Sequence, residues 1–368
     1  MSQCIYVGLD VHKKTVVYCA KNADGSVVCQ GTVAANRKAL GEWAVMMPRP
    51  WQGVMEATLF TGWIYDFLTP HAEKLIVAHP LMMRAIAASK KKNDRVDAQK
   101  LADALRADLV PQAYMAPPDI RELRRVLRFR TLMVSMAVRM KNKCAGLLLE
   151  MGAPFDKAKL HHKAYYEKLM ERLSPEEAPE SVRRMLGLSR SQVQLFKQTE
   201  KQLVKALKNT ALIRERVERL QTIRGVGEIT ALTWVLEVGE PSRFSSIGKA
   251  QSYCGLTSAE SSSGETSKRM PISKQRNKHL QTVLVEAAKI APRWNPQLKA
   301  ISEREQARGN RNRATLAVAR KMVAYLLAVD KSGKPFEARG VQADQTPEPE
   351  KNQKAKAGVK VKSKTKTS

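Results

Sequence analysis

A chain of 368 residues with 64 Lys plus Arg against 35 Asp plus Glu carries a net charge of +29, which excludes an ordinary neutral surface and points to a polyanionic partner. No apolar stretch approaches the ~20 residues that span a bilayer, and Met1-Ser2-Gln3-Cys4 lacks the basic region and apolar core of a signal peptide, so a cytoplasmic location is expected. The five cysteines include no C-x-x-C pair and are odd in number, and the histidines form no ligand cluster in sequence; neither a disulfide framework nor a zinc site is expected, and oxygen atoms should hold any metal.

Residues 4–9, 15–20 and 26–33 are short strand-like runs, and Asp24-Gly25 marks a turn between the second and third, which predicts an antiparallel meander. Strands at 54–56 and 75–78 alternate with helical segments at 61–68, 80–91 and 94–105, predicting crossovers and a mixed sheet. A meander followed by βαβ units is the order of a ribonuclease-H-like fold, so residues 1–112 should form an α/β domain. Within it Asp10 closes the apolar run Ile5-Tyr6-Val7-Gly8-Leu9, Glu56 follows Gly53-Val54-Met55, and Asp94 and Asp97 stand three apart where a helix begins. A carboxylate at the end of a buried strand is costly unless a cation or hydrogen bonds compensate it, so these four predict a shared Mg²⁺ site and phosphodiester chemistry. Taken singly, Asp10 also suits the start of a turn and Asp94 suits a helix N-cap.

From Ala116 the pattern turns helical. Asp119 and Glu122 suit a capping box, and Leu123, Leu127, Val134 and Val138 form an apolar stripe, while Arg121, Arg124, Arg125, Arg128 and Arg130 crowd the remaining surface, the first four expected to bind phosphate. An acidic, Pro-punctuated connector at 174–180 leads to a second long helical segment at 189–220, where a coiled coil is compatible with the spacing but not required. Residues 113–220 therefore read as a helical connector. A further domain, 221–335, opens with Ile223-Arg224-Gly225-Val226-Gly227, which has the form of a helix-hairpin-helix turn; Gly225 and Gly227 would let backbone N–H groups meet a phosphate, although an ordinary helix-helix turn has the same glycines. Residues 336–368 lack apolar periodicity and carry seven lysines from Lys351 onward, predicting a disordered basic tail.

A serine-rich segment, 255–264, would ordinarily be a flexible loop. Here it runs into a basic stretch containing Lys268, Arg269, Lys274, Arg276 and Lys278 ahead of an apolar helix, where a serine could act as a nucleophile on DNA.

Gly8-Leu9-Asp10-Val11-His12-Lys13-Lys14, Met55-Glu56-Ala57-Thr58 and Asn93-Asp94-Arg95-Val96-Asp97-Ala98 resemble the three acidic blocks of the DEDD transposases of the IS-one-ten insertion-sequence family. The segments at 223–230, 253–257, 263–264 and 272–274 resemble that family's C-terminal domain, and the likeness runs in order from about residue 4 to 335. It implies an α/β plus α architecture: an N-terminal RuvC-like domain, a long helical connector and a mostly helical C-terminal transposase domain with helix-hairpin-helix. It also implies a Mg²⁺-dependent, nucleoid-associated bacterial recombinase, guided by a structured bridge RNA that pairs with target and donor DNA and working as a homotetramer whose active sites combine domains of different subunits. Asp10, Glu56, Asp94 and Asp97 would be the metal ligands and Ser263 the nucleophile, with Ser262 the neighbouring alternative. Arg224, Leu59 and Ser258 depart from the family pattern without removing a proposed catalytic group. Two other readings use the same residues: a junction resolvase or nuclease that activates water with the four carboxylates, and a helix-hairpin-helix binding protein without chemistry.

Overall fold

A computed structural model describes residues 4–86, 93–263, 266–272 and 274–337, with the backbone alone at 84–86, 259–263 and 266–270. Strands β1 (Ile5–Val11), β2 (Thr15–Lys21) and β3 (Val27–Ala34) form the expected antiparallel meander. After helix α1 (Arg37–Met46), β4 (Trp51–Glu56) pairs parallel with β1, and after α2 (Thr61–Leu68), β5 (Lys74–Ala78) pairs parallel with β4, giving the order β3-β2-β1-β4-β5. Helix α3 (Pro80–Ile86) and helix α4 (Asp94–Arg106) follow.

Strand alternation sorts the two faces of this sheet. Val7 and Leu9 point into the core that also holds Leu40, Trp43, Ile64 and Leu68 of α1 and α2. Tyr6, Val54, Ile76 and Ala78 belong to the opposite layer, with Leu101, Ala104 and Leu105 of α4. At Gly8 the two elements nearly touch: a Cβ there would lie 2.0 Å from the Ala98 carbonyl oxygen and 2.5 Å from the Ala102 nitrogen. Glycine thus sets how closely α4 crosses β1. Helix α1 was not foreseen from the sequence, although Asn36 caps it through a 2.9 Å bond from the Ala39 N–H and Leu40, Trp43 and Ala44 have helical spacing.

The chain then leaves the sheet domain along α5 (Pro118–Glu150). Helix α6 (Lys163–Arg172) closes a small core at the far end of α5, and α7 (Glu180–Lys208) returns alongside it. The segment expected as one helix over 189–220 breaks at Asn209-Thr210, and α8 (Ala211–Gln221) begins after it. The C-terminal core contains Leu127 of α5 and Val217 and Leu220 of α8, so the expected boundary at 220/221 falls inside one packed unit. Helix α9 (Glu228–Val238) is buried from Thr230 onward and lies at the centre, where the Trp234 indole donates to Asp330 at 2.8 Å. Around it are α10 (Ile247–Tyr253), the hairpin of β6 (Ser258–Ser263) and β7 (Thr266–Ile272), α11 (Lys278–Ile290), α12 (Pro296–Arg308) and α13 (Arg311–Ser332). No helix among the described residues is long and apolar enough to cross a membrane.

Candidate metal centre and nucleic-acid surface

The parallel register of β1 and β4 pairs Leu9 with Met55, so one step further Asp10 and Glu56 leave neighbouring strand ends at the same level. Tyr6 and Gly8 face α4, and alternation sends Asp10 and His12 the same way; Val54 does the same for Glu56. The face of α4 that packs on the sheet through Ala98, Leu101 and Leu105 continues N-terminally to Asp94 and Asp97. Asn93 caps this helix, its Oδ1 accepting from the Arg95 N–H at 3.0 Å. Asp94 is therefore not the cap, and its carboxylate is available to the site.

His12 joins the two segments. Its Nε2 lies 3.1 Å from Asp10 Oδ2 and 3.2 Å from Asp94 Oδ2, and ligand atoms of Asp10, His12 and Asp94 all fall within 4.8 Å of one another. Burial pushes the Asp10 carboxyl above its ordinary range, and the charges of Asp94 and Asp97 push it the same way, while His12 opposes both. Asp97 lies 3.9 Å from Lys100. Anionic oxygens gathered at a helix N-terminus, with one imidazole nitrogen, form a donor set that fits a hard divalent cation. His12 was not among the residues expected at this site. Its signal was present, since residues two apart on a strand share a face.

The arginines of α5 divide in a way that the sequence did not show. Arg121 donates to the Ala116 carbonyl at 2.8 Å and pairs with Asp66, Arg124 donates to the Leu236 carbonyl at 2.8 Å, and Arg128 grips both oxygens of Glu237 at 2.8 Å each. Arg121 and Arg124 are half-buried and held by these partners, whereas Arg128 pairs with Glu237 and yet stays exposed, as Arg125 does. Arg130 pairs with Glu200 of α7.

Four of the residues expected to bind nucleic acid meet in one place. Arg128, Gly225, Gly227 and Lys278 line a cleft of about 800 Å³ between α5, the start of α9 and α11, whose floor is largely apolar. Gly225 has a φ of +98°, and a Cβ on it would meet the Ala291 Cβ at 2.7 Å, so only glycine suits that turn. Gly227 caps α9 without a side-chain hydrogen bond. Lys274 and Arg276 are exposed on the way into α11. The serine-rich segment, expected as a loop, forms β6, where Ser262 pairs with Ser267 and Ser263 with Thr266 across the hairpin. Lys268 and Arg269 lie on β7, opposite Ser261 and Glu260. The side chains of Ser263, Lys268 and Arg269, together with Gly264, Ser273 and the tail from residue 338, lie outside the described residues.

Residues 7–152 match the DEDD transposase model of the IS110 group, and residues 217–303 match the model described as "Transposase IS116/IS110/IS902 family". The chain is 29% identical over 251 residues to the transposase for insertion sequence element IS1111A of Coxiella burnetii, covering 65% of this chain and 66% of that one. It is 29% identical over 228 residues to the transposase for insertion sequence element IS1328 of Yersinia enterocolitica, covering 60% of this chain and 64% of that one. With both halves of the chain matched in order and the acidic residues on the expected strand and helix ends, the protein belongs to the IS110 family of insertion-sequence transposases.

Proposed function

We propose that this transposase cuts and rejoins DNA strands through a covalent serine ester, with Asp10, Glu56, Asp94 and Asp97 holding Mg²⁺ and Ser263 as the nucleophile. The observation that carries the metal part is the meeting of Asp10 and Asp94 around His12, on the sheet face and beside the strand end that also present Asp97 and Glu56. When bound, divalent ions would supply Lewis-acid stabilisation of the charge that develops at phosphorus. His12 holds Asp10 and Asp94 at one distance from itself and so fixes the spacing of the strand and the helix.

Ser263 would form an Oγ–P bond as one backbone P–O ester bond breaks; the serine proton is given up and the departing oxygen takes one, leaving a free hydroxyl end. A hydroxyl end of another strand reverses the step, so the ester conserves the energy of the broken bond and strand exchange needs no ATP. Water activated at the carboxylates would hydrolyse the backbone instead, which is the competing nuclease reading.

The excess of positive charge supports RNA as well as DNA as a partner. In this reading a structured bridge RNA pairs with target and donor DNA and carries the sequence information, while the protein, as a tetramer, contacts backbones. The glycine turn before α9 acts as the helix-hairpin-helix, its N–H groups facing a phosphate at the cleft.

The test is strand cleavage of labelled donor and target DNA with the RNA and Mg²⁺. Asp10→Asn, Glu56→Gln and Asp94→Asn should each abolish it while RNA binding persists. Near-normal recombination in both Asp10→Asn and Glu56→Gln would refute the metal site.

A further inference from the structure

The β6–β7 hairpin joins the protein through two roots, and one buried residue, Glu237, reaches both, one through its carboxylate and the other through its main-chain carbonyl. Glu237, near the end of α9, has 0% of its surface exposed. Its oxygens accept two hydrogen bonds from Arg128, and Oε2 accepts a third from Asn277 Nδ2 at 2.8 Å. The main-chain carbonyl of Glu237 accepts from the Tyr253 hydroxyl at 3.0 Å. Tyr253 ends α10 just before β6, and Asn277 caps α11 just after β7. These two are also bonded to each other, the Asn277 N–H donating to the Tyr253 carbonyl at 2.9 Å and Asn277 Nδ2 donating to the Tyr253 hydroxyl at 3.3 Å.

The other end of this network is α5. Arg124 comes within 3.9 Å of Glu237, and the first turns of α5 are tied to the sheet domain through Arg121 and Asp66. A fully buried carboxylate is a costly way to fill space, and an apolar side chain would fill it at lower cost; what the carboxylate adds is one fixed arrangement of every donor around it.

We propose that Glu237 is a positioning residue, which fixes both roots of the β6–β7 hairpin to α5 so that the hairpin backbone is held in one place relative to α5. Its catalytic consequence rests on the serine reading above; its geometric consequence does not.

Two conservative substitutions isolate the tie. Asp caps a helix as well as Asn does, so Asn277→Asp keeps the α11 cap, but its carboxylate repels Glu237 instead of donating to it. Tyr253→Phe removes one hydroxyl. The measurements are hydrogen exchange of the 258–272 amides, single-turnover DNA cleavage and DNA affinity, each on the full chain with RNA. In both variants hairpin exchange should accelerate at least ~10-fold while sheet-domain exchange is unchanged. Cleavage should fall ~100-fold, the scale of a 1 Å misplacement, with DNA affinity unaltered and no recovery on cooling. Unchanged hairpin exchange, or faster exchange with unchanged cleavage, would overturn the proposal, as would cleavage restored at a temperature well below the melting point. If the wild-type protein forms no covalent adduct, the serine reading fails, and the exchange comparison still decides whether Glu237 holds the hairpin.

Discussion

Gly8→Ala tests whether the close approach of β1 and α4 sets the geometry of the acidic site. The added Cβ would lie 2.0 Å from the Ala98 carbonyl oxygen and 2.5 Å from the Ala102 nitrogen, both rigid backbone atoms of α4. Ordinary van der Waals separation begins near 3.4 Å, so the strand and the helix must part by about 1.4 Å. Overpacking of this kind costs about 1–3 kcal/mol, enough to lower the melting temperature by several degrees in a domain of this size. The larger effect is on chemistry, because Asp94 and Asp97 stand on the turn of α4 that leads into Ala98, and Asp94 lies 3.2 Å from His12. A displacement above 1 Å predicts a loss of ~100-fold or more in single-turnover cleavage. Thermal melting gives the first quantity and cleavage of end-labelled DNA, measured well below the melting point, gives the second. A Gly8→Ala protein that melts and cleaves like wild type would show that α4 is free to shift, and the argument that Gly8 places the carboxylates would be wrong.

Three further outcomes are expected. In the wild-type protein Mg²⁺ should raise the melting temperature by selective binding to the folded state, and Asp94→Asn should abolish that rise; an undiminished rise would place the metal elsewhere. Burial pushes the Glu237 carboxyl up, but Arg128, Asn277 and Arg124 outweigh it and hold it below the usual carboxylate range. A depressed folded-state value means stability that is fully present above the unfolded pKa of ~4.3 and lost as pH falls through the folded value, so acid titration of wild type and Glu237→Gln should show the difference between them shrinking below about pH 4. Truncation after Phe336 removes seven lysines and should weaken nucleic-acid binding at low salt, with the log–log salt slope falling by ~0.9 for each duplex phosphate that the tail had neutralised; an identical slope would show that the tail touches no phosphate.

The sheet domain was legible because its signals are local. Alternation in β1 and β2, the turn at Asp24-Gly25 and the apolar stripe of α4 place these elements to within a few residues, and the acidic positions follow from strand and helix ends. His12 was visible only through parity, and parity becomes meaningful once the register of β1 shows which face meets α4. The arginines of α5 show the opposite case. Their spacing predicts a charged surface, but that Arg128 also grips Glu237 depends on a carboxylate 109 residues away in sequence, which helical periodicity cannot reveal. The serine-rich segment has weak strand propensity, and pairing across β7 overrides it. The break at Asn209-Thr210 is similar: helical spacing continues through it, and packing of α8 into the C-terminal core redirects the chain.

The central claim is that DNA becomes esterified to a serine of the β6–β7 hairpin, and trapping that ester tests it most directly. Wild type, Ser262→Ala and Ser263→Ala are incubated with Mg²⁺, the bridge RNA and labelled DNA, denatured, and the labelled protein is digested and mapped. Replacing Ser263 removes one oxygen, so stability should change by no more than about 0.5 kcal/mol. The account predicts labelled wild-type and Ser262→Ala protein with the label on Ser263, and none on Ser263→Ala. Label absent from Ser262→Ala but kept by Ser263→Ala would move the nucleophile by one residue, and DNA cleaved by wild type with no labelled protein at any time would contradict the serine mechanism itself.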